Sequence, residues 1–253
     1  MSENNNKSLA ESEVSAEVMQ RIVSQAQALI ESQAIFGTTL YSLPTVTEIT
    51  LQKSVVADWQ TRTNLSDLEK AIRSCMECPL GATRTNFVFG SGNPNADIMI
   101  IGEAPGADED EQGLPFVGAA GQLLTKILAS VNFNRDEVYI ANILKCRPPG
   151  NRRPEKSETD KCEPYLHRQI EIIRPKFILA LGLTAANTLL KSPHKMGDIR
   201  GKVFNYRGVE MLITYHPAAL LRNPNWKVHV WEDVKLLRKM YDAWKNNGEN
   251  SVS

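Results

Sequence analysis

Residues 97–106 read DIMIIGEAPG, and the fold of this 253-residue chain turns on that stretch. The uninterrupted apolar run Ile98–Ile101, closed by Gly102, has the length and composition of a strand buried on both faces. Two glycines and a proline follow at once, which fixes a tight turn and lets a ligand approach the backbone. Glu103 sits in that turn. Outward from it, similar runs recur at residues 138–146 (VYIANILKC) and 177–182 (FILALG). Residues 202–206 and 210–215 (EMLITY) read as a hairpin around Arg207-Gly208 whose second arm is a central strand. Helical periodicity fills the gaps, over residues 119–130, 155–173 and 184–190, and over 225–245 with Val228, Trp231, Val234, Leu237 and Met240 or Tyr241 inward. Such alternation predicts an α/β fold, a three-layer α/β/α sandwich with a mainly parallel four-stranded central sheet. Ligands of such sheets bind beyond the carboxyl ends of the strands. Glu103, Asn142 and His216, at or just past three strand ends, are therefore expected to meet in one cleft.

The body so read spans residues 66–245, opening on a capping-box pattern of Ser66 with Glu69. Residues 1–65 are expected to form a partly disordered extension with a helix near 14–34, and residues 246–253 a disordered tail. The composition, 42% hydrophobic and 23% charged, is that of an ordinary globular protein. No apolar stretch is long enough for a membrane helix, and the polar N-terminus does not resemble a secretory signal, so a cytoplasmic location is expected; a monomer is the expected state, on no sequence signal of its own. The net charge of zero argues against a nucleic-acid partner until its distribution is considered. Residues 1–65 carry 4 Lys/Arg against 7 Asp/Glu, whereas residues 66–245 carry 25 against 21. Lys145, Arg147, Arg152 and Arg153 lie together without an intervening acid, a patch suited to phosphates or simply to solvent.

Four cysteines, Cys75, Cys78, Cys146 and Cys162, follow a C-x2-C…C-x15-C spacing. Paired thiols in a chain of this kind point to a metal or cluster rather than disulfides. Phe116, in the Gly/Pro loop GLPFVG, is either a core plug or a stacking platform for a flat ring. Asn142 interrupts an apolar strand; its amide donates and accepts, so it serves either the structure or the edge of a pyrimidine. His216, in YHPAALLR, can donate to an oxygen that gains charge, or merely start a helix. Leu220 and Leu221 followed by Arg222 suit an apolar wedge beside a phosphate contact, or buried leucines.

The segments GEAPGADEDEQGLPFVGAAGQLL, YIANILKCRPPGNRRP and YHPAALLR, in this order and with this cysteine spacing, resemble the family-4 uracil-DNA glycosylases over roughly residues 70–245. The resemblance implies a glycosylase fold with a [4Fe–4S] cluster held by Cys75, Cys78, Cys146 and Cys162; zinc is the alternative that spacing leaves open. It implies a monofunctional, uracil-specific enzyme that hydrolyses the N-glycosidic bond of uracil in DNA and so starts base excision repair. Glu103 matches the carboxylate that activates water, and Phe116 the residue that stacks on uracil. Asn142 matches the amide that reads the base edge, His216 the donor to uracil O2, and Glu109 a position that crowds C5. The backbone at Ala104 would add base contacts, while Lys145, Arg147, Arg152, Arg153, Leu220, Leu221 and Arg222 would meet DNA. Some relatives carry a nonpolar residue in place of Glu103 and accept more bases. Another bonds DNA covalently through a histidine in the loop after the second strand. This chain has the carboxylate and no such histidine, which implies turnover on uracil without a lasting adduct. A non-catalytic DNA-binding module or a redox protein would share the cysteines but has no use for the other motifs. A phosphate-loop enzyme would need a glycine pattern after the first strand that is missing.

Overall fold

The structure is a computed structural model that describes residues 58–249 together with Ser24. The expected helix over 14–34 lies outside the described residues except for Ser24. The strands are β1 (Ser91–Gly92), β2 (Ile98–Gly102), β3 (Tyr139–Asn142), β4 (Phe177–Leu181), β5 (Val203–Tyr206) and β6 (Val209–Thr214). The helices are α1 (Leu65–Ile72), α2 (Leu80–Thr83), α3 (Ala107–Gln112), α4 (Ala119–Ala129), α5 (Lys156–Ile173), α6 (Leu183–Leu190), α7 (Met196–Ile199), α8 (Pro217–Arg222) and α9 (Lys227–Glu249).

The sheet runs in the order β1-β3-β2-β4-β6-β5. Its centre, β3-β2-β4-β6, is parallel, as the four apolar runs predict. The sheet is wider than four strands because β1 and β5 add antiparallel edges. Alternate strand residues serve opposite faces. Met99, Ile101, Ile178, Ala180, Met211 and Ile213 pack against Leu166 and Ile170 of α5 and Ala185 and Leu189 of α6. Ile98, Ile100, Leu179, Leu181 and Leu212 pack against Leu124 and Leu128 of α4 and Val230, Val234 and Leu237 of α9. The result is the three-layer α/β/α arrangement, its strands buried on both sides.

Three sequence expectations need correction. Asn64, not Ser66, caps α1: its Oδ1 accepts from the Asp67 N–H at 2.9 Å. The chain is already packed before residue 66, for Trp59 meets Tyr165 edge-on with ring centroids 4.8 Å apart, and α9 continues past residue 245 to Glu249. On α9, Val228 and Trp231 face outward, because Val230 and Val234 occupy the stripe that meets the sheet. No helix among the described residues is long and apolar enough to cross a membrane.

Candidate functional site

Strand register builds the site. Gly102 and Asn142 are direct partners across the parallel β2–β3 pair, at its carboxyl end. Pairing continues one step further, with the Leu144 N–H donating to the Glu103 carbonyl at 3.1 Å, so Glu103 emerges at the rim. On the other side Leu181 pairs with Thr214, and the chain leaves β6 through Tyr215 into His216, the N-cap of α8. Three segments far apart in sequence thus end side by side, as the strand-end reading expects.

The side chains then converge on Gly102. A Cβ there would lie 2.3 Å from Asn142 Oδ1 and 2.6 Å from Phe116 Cζ. The amide and the ring therefore meet over the bare Cα, which any larger residue would fill. The rings of Phe116 and His216 stand 5.4 Å apart, tilted by 33°. Asn142 is buried, yet its Oδ1 has no hydrogen-bond partner among the described residues. Such orphans are uncommon, because leaving a buried acceptor unpaired costs about 1–3 kcal/mol. The Glu103 carboxylate is half-buried and makes no hydrogen bond or ion pair with the described residues.

His216 is poised as a neutral donor. Its Nδ1 accepts from the Ala218 N–H at 3.2 Å, which leaves the proton on Nε2. Burial, reinforced by nearby Arg222, pulls its pKa down to about 4. The residue is partly buried.

Phe116 adopts a left-handed backbone, φ 53°, which the loop must enforce. Glu109 does much of this: one carboxylate oxygen accepts from the Val117 and Gly118 N–H groups at 2.9 and 3.0 Å, the other from Gly106 at 3.0 Å. It joins the turn after Glu103 to the Phe116 loop. Arg135 adds a bond to the Pro115 carbonyl at 2.7 Å. Neither tie is visible in the sequence, although Glu109 stands at the third helical position after Gly106, where a carboxylate reaches back to the cap.

Two residues expected at the DNA surface are not there. Lys145 is fully buried. Its Nζ donates to the Asn142 carbonyl at 2.9 Å and to Gln169 Oε1 at 2.6 Å, and Gln169 in turn donates to the Phe89 carbonyl. A buried ammonium persists only when hydrogen-bonded, and these bonds brace the backbone of Asn142. Leu220 is also fully buried, in the core under α8, leaving Leu221 exposed as the wedge candidate beside exposed Arg222. Arg147, Arg152 and Arg153 lie at or near the surface. Arg152 is bound bidentately to buried Glu158, at 2.9 and 2.6 Å, so it also braces its loop.

The four cysteines, free of disulfides, line one small cavity together with Phe87 and Tyr165. Polar hydrogens point at their sulfurs: Arg84 Nη1 at 3.2 Å from Cys146 Sγ and the Lys145 N–H at 3.3 Å from Cys162 Sγ. The Tyr165 hydroxyl lies 3.2 Å from Cys75 Sγ. No three His, Cys, Asp or Glu side chains among the described residues gather tightly enough for a single metal ion. A zinc–sulfur bond of about 2.3 Å would require thiolates roughly 3.7 Å apart. A polynuclear cluster takes its thiolates at wider spacing, one on each iron.

A wider groove opens at the opposite edge of the sheet, around Asp97, Asn132, Phe133 and Arg238. Arg238 bonds Asp242 and the Asn132 carbonyl there, and no buried side-chain polar atom of its described lining lacks a partner. The carboxyl end of this doubly wound α/β sheet instead brings together an amide acceptor without a partner among the described residues, a neutral imidazole and a carboxylate with no ion pair among them.

Comparison with known proteins gives the family. Residues 89–235 match the profile of the uracil DNA glycosylase superfamily. The chain is 46% identical over 181 residues to a type-4 uracil-DNA glycosylase of Pyrobaculum aerophilum, covering 68% of this chain and 92% of that one. It is 44% identical over 185 residues to the type-4 uracil-DNA glycosylase of Archaeoglobus fulgidus, covering 70% and 93%. The type-4 enzyme of Thermotoga maritima is 41% identical over 180 residues, covering 69% and 94%. The chain belongs to the uracil-DNA glycosylase superfamily, in its type-4 branch.

Proposed function

We propose that this chain is a monofunctional, uracil-specific DNA glycosylase that hydrolyses the bond between uracil N1 and the deoxyribose, leaving an abasic site for base excision repair. The observation that carries the reading is the buried, unpartnered Oδ1 of Asn142 facing the Phe116 ring across the Cα of Gly102. Uracil, turned out of the helix, would stack on Phe116 and give its N3–H to Asn142 Oδ1. Cytosine offers an acceptor at N3 and would leave that oxygen unpaired. Glu109 would exclude a 5-methyl group by fixing the loop that bounds the slot.

As the C1′–N1 bond lengthens, positive charge builds on the sugar and negative charge on uracil O2. Neutral His216 donates from Nε2 to O2 and stabilises the departing anion. Glu103 holds a water against C1′ and takes its proton as the new C–O bond forms. Arg147, Arg153 and Arg222 would face phosphates and Leu221 would fill the space the base leaves.

Cys75, Cys78, Cys146 and Cys162 fit a [4Fe–4S] cluster by their shared cavity, their apolar shell and the hydrogens aimed at their sulfurs. Held by these residues, it would tie together the turn between α1 and α2, the segment after β3, and α5. We also propose that the catalytic body is self-sufficient without the N-terminal extension, and that the protein acts as a cytoplasmic monomer.

An oligonucleotide with one uracil, incubated with protein and then alkali, tests the reading. Cleavage confined to uracil, lowered about 10²–10⁴-fold by Glu103→Gln and about 10²–10³-fold by His216→Ala, is expected. Intact DNA from cluster-loaded protein would overturn it in favour of a DNA-binding module.

A further inference from the structure

Leu221, Trp226, Val228 and Trp231 are all large, apolar and exposed, and they fall within a single short stretch from α8 into α9. A folded protein tolerates scattered apolar residues at its surface; a run of this kind marks a contact. The stretch is built outward from the cleft. The Trp226 ring stacks on Tyr215 with centroids 4.6 Å apart and an angle of 22°, and Tyr215 is the neighbour of His216. One face of the indole is thus packed against the neighbour of the site, while the residue remains 36% exposed. Val228, Trp231 and Lys235 follow at helical spacing on the face of α9 turned away from the sheet, and Lys235 Nζ lies 5.5 Å from the centre of the Trp231 ring.

The charge of this face selects its partner. Arg222, Lys227 and Lys235 are cations without a carboxylate partner among the described residues. The acids nearby, Glu232 and Asp233, are both bound to Arg200. Aromatic planes interleaved with cations that no carboxylate neutralises suit a single nucleic-acid strand: bases stack on the rings and phosphates meet the cations. A protein partner would have to bury those cations against acids of its own.

We infer that Trp226, with Trp231 further along α9, is a stacking platform for unpaired bases next to the uracil, so that a single strand is held there by base stacking as well as by phosphate contacts. The inference rests on the glycosylase reading for the identity of the strand. Tyr215 already packs against one face of the Trp226 indole, so stacking a base on the other face entails little loss of side-chain freedom.

The test uses the full chain with its cluster and a single-stranded oligonucleotide carrying one uracil analogue that resists hydrolysis. Binding is followed by anisotropy and by tryptophan emission. Trp226→Ala should weaken binding between about 5-fold and 100-fold, the range for loss of one stacked base. Trp226→Phe should retain most of the affinity. The slope of log affinity against log salt should be unchanged in both, whereas Arg222→Gln should lower it by about 1. Trp231→Ala, an outward helical position, repeats the test should Trp226→Ala fold poorly. Single-strand binding within twofold of the parent in both alanine variants would overturn the platform. So would a loss in Trp226→Phe equal to that in Trp226→Ala, which would mean only local packing. Uracil release by the parent protein is measured beside these: its absence would sink the glycosylase reading, and its presence with unaffected tryptophan variants would sink the platform alone.

Discussion

Replacing Gly102 by alanine adds one methyl group at the point where the site is assembled. The position does not need glycine for its backbone, since Gly102 is not among the residues with positive φ. Only space is at issue. The new Cβ would stand 2.3 Å from Asn142 Oδ1 and 2.6 and 2.8 Å from two atoms of the Phe116 ring. Ordinary contact begins near 3.4 Å, so both side chains must retreat by about 1 Å. Overpacking of this kind costs roughly 1–3 kcal/mol of stability. A 1 Å misplacement of a positioning group costs about 10²-fold in rate. Gly102→Ala should therefore fold, melt a few degrees lower, and release uracil about 10²-fold more slowly in single-turnover assays at saturating DNA. Single turnover separates the chemical step from binding and product release. A variant that melts lower yet cuts at the parent rate would refute the claim that Asn142 and Phe116 form the slot together over this Cα.

Lys145→Met keeps the length of the side chain but removes the donor from the Asn142 carbonyl and Gln169 Oε1; unpaired acceptors of this kind cost about 1–3 kcal/mol each, so lower thermal stability and slower uracil release are expected. If the variant lost only DNA affinity, with stability intact, Lys145 would be a phosphate contact after all. His216 titrates at about 4 in the folded protein, below the ordinary value of about 6.5, so the unfolded chain takes up the extra proton between those values. Stability should fall as pH drops through that window, by about 3 kcal/mol in all, and the imidazole should stay neutral at pH 6; NMR titration of its ring protons, assigned with His216→Ala, would contradict this by showing a midpoint near 6.5. Removing residues 1–57 should leave single-turnover uracil release within about threefold, and a much larger loss would place part of the catalytic machinery in the extension.

The parallel core was legible because a strand buried on both faces needs an unbroken apolar run, and four such runs separated by helical patterns admit few other arrangements. Glu103, Asn142 and His216 could be named because a polar residue at the end of such a run stands at the sheet's carboxyl edge whatever the loops do. The errors lie elsewhere and share a cause. The sequence pattern puts Lys145 at the DNA surface because it sits among arginines, Leu220 in a wedge because it precedes Leu221 and Arg222, and Val228 and Trp231 in the core because they are apolar at helical spacing. Each depends on which side of an element faces the protein, and that is set by neighbours distant in the chain.

The sequence by itself determined the order of the elements, the layer each apolar run would occupy and the residues that could carry chemistry, because burial and strand polarity act locally along the chain. Only the tertiary structure decided that the Cα of Gly102 is the meeting point of Asn142 and Phe116, that Glu109 fastens one loop to the other and that Lys145 braces the Asn142 backbone. Those are distances between segments brought together by strand register and packing, and close packing fixes them to within an ångström in a way no local pattern encodes.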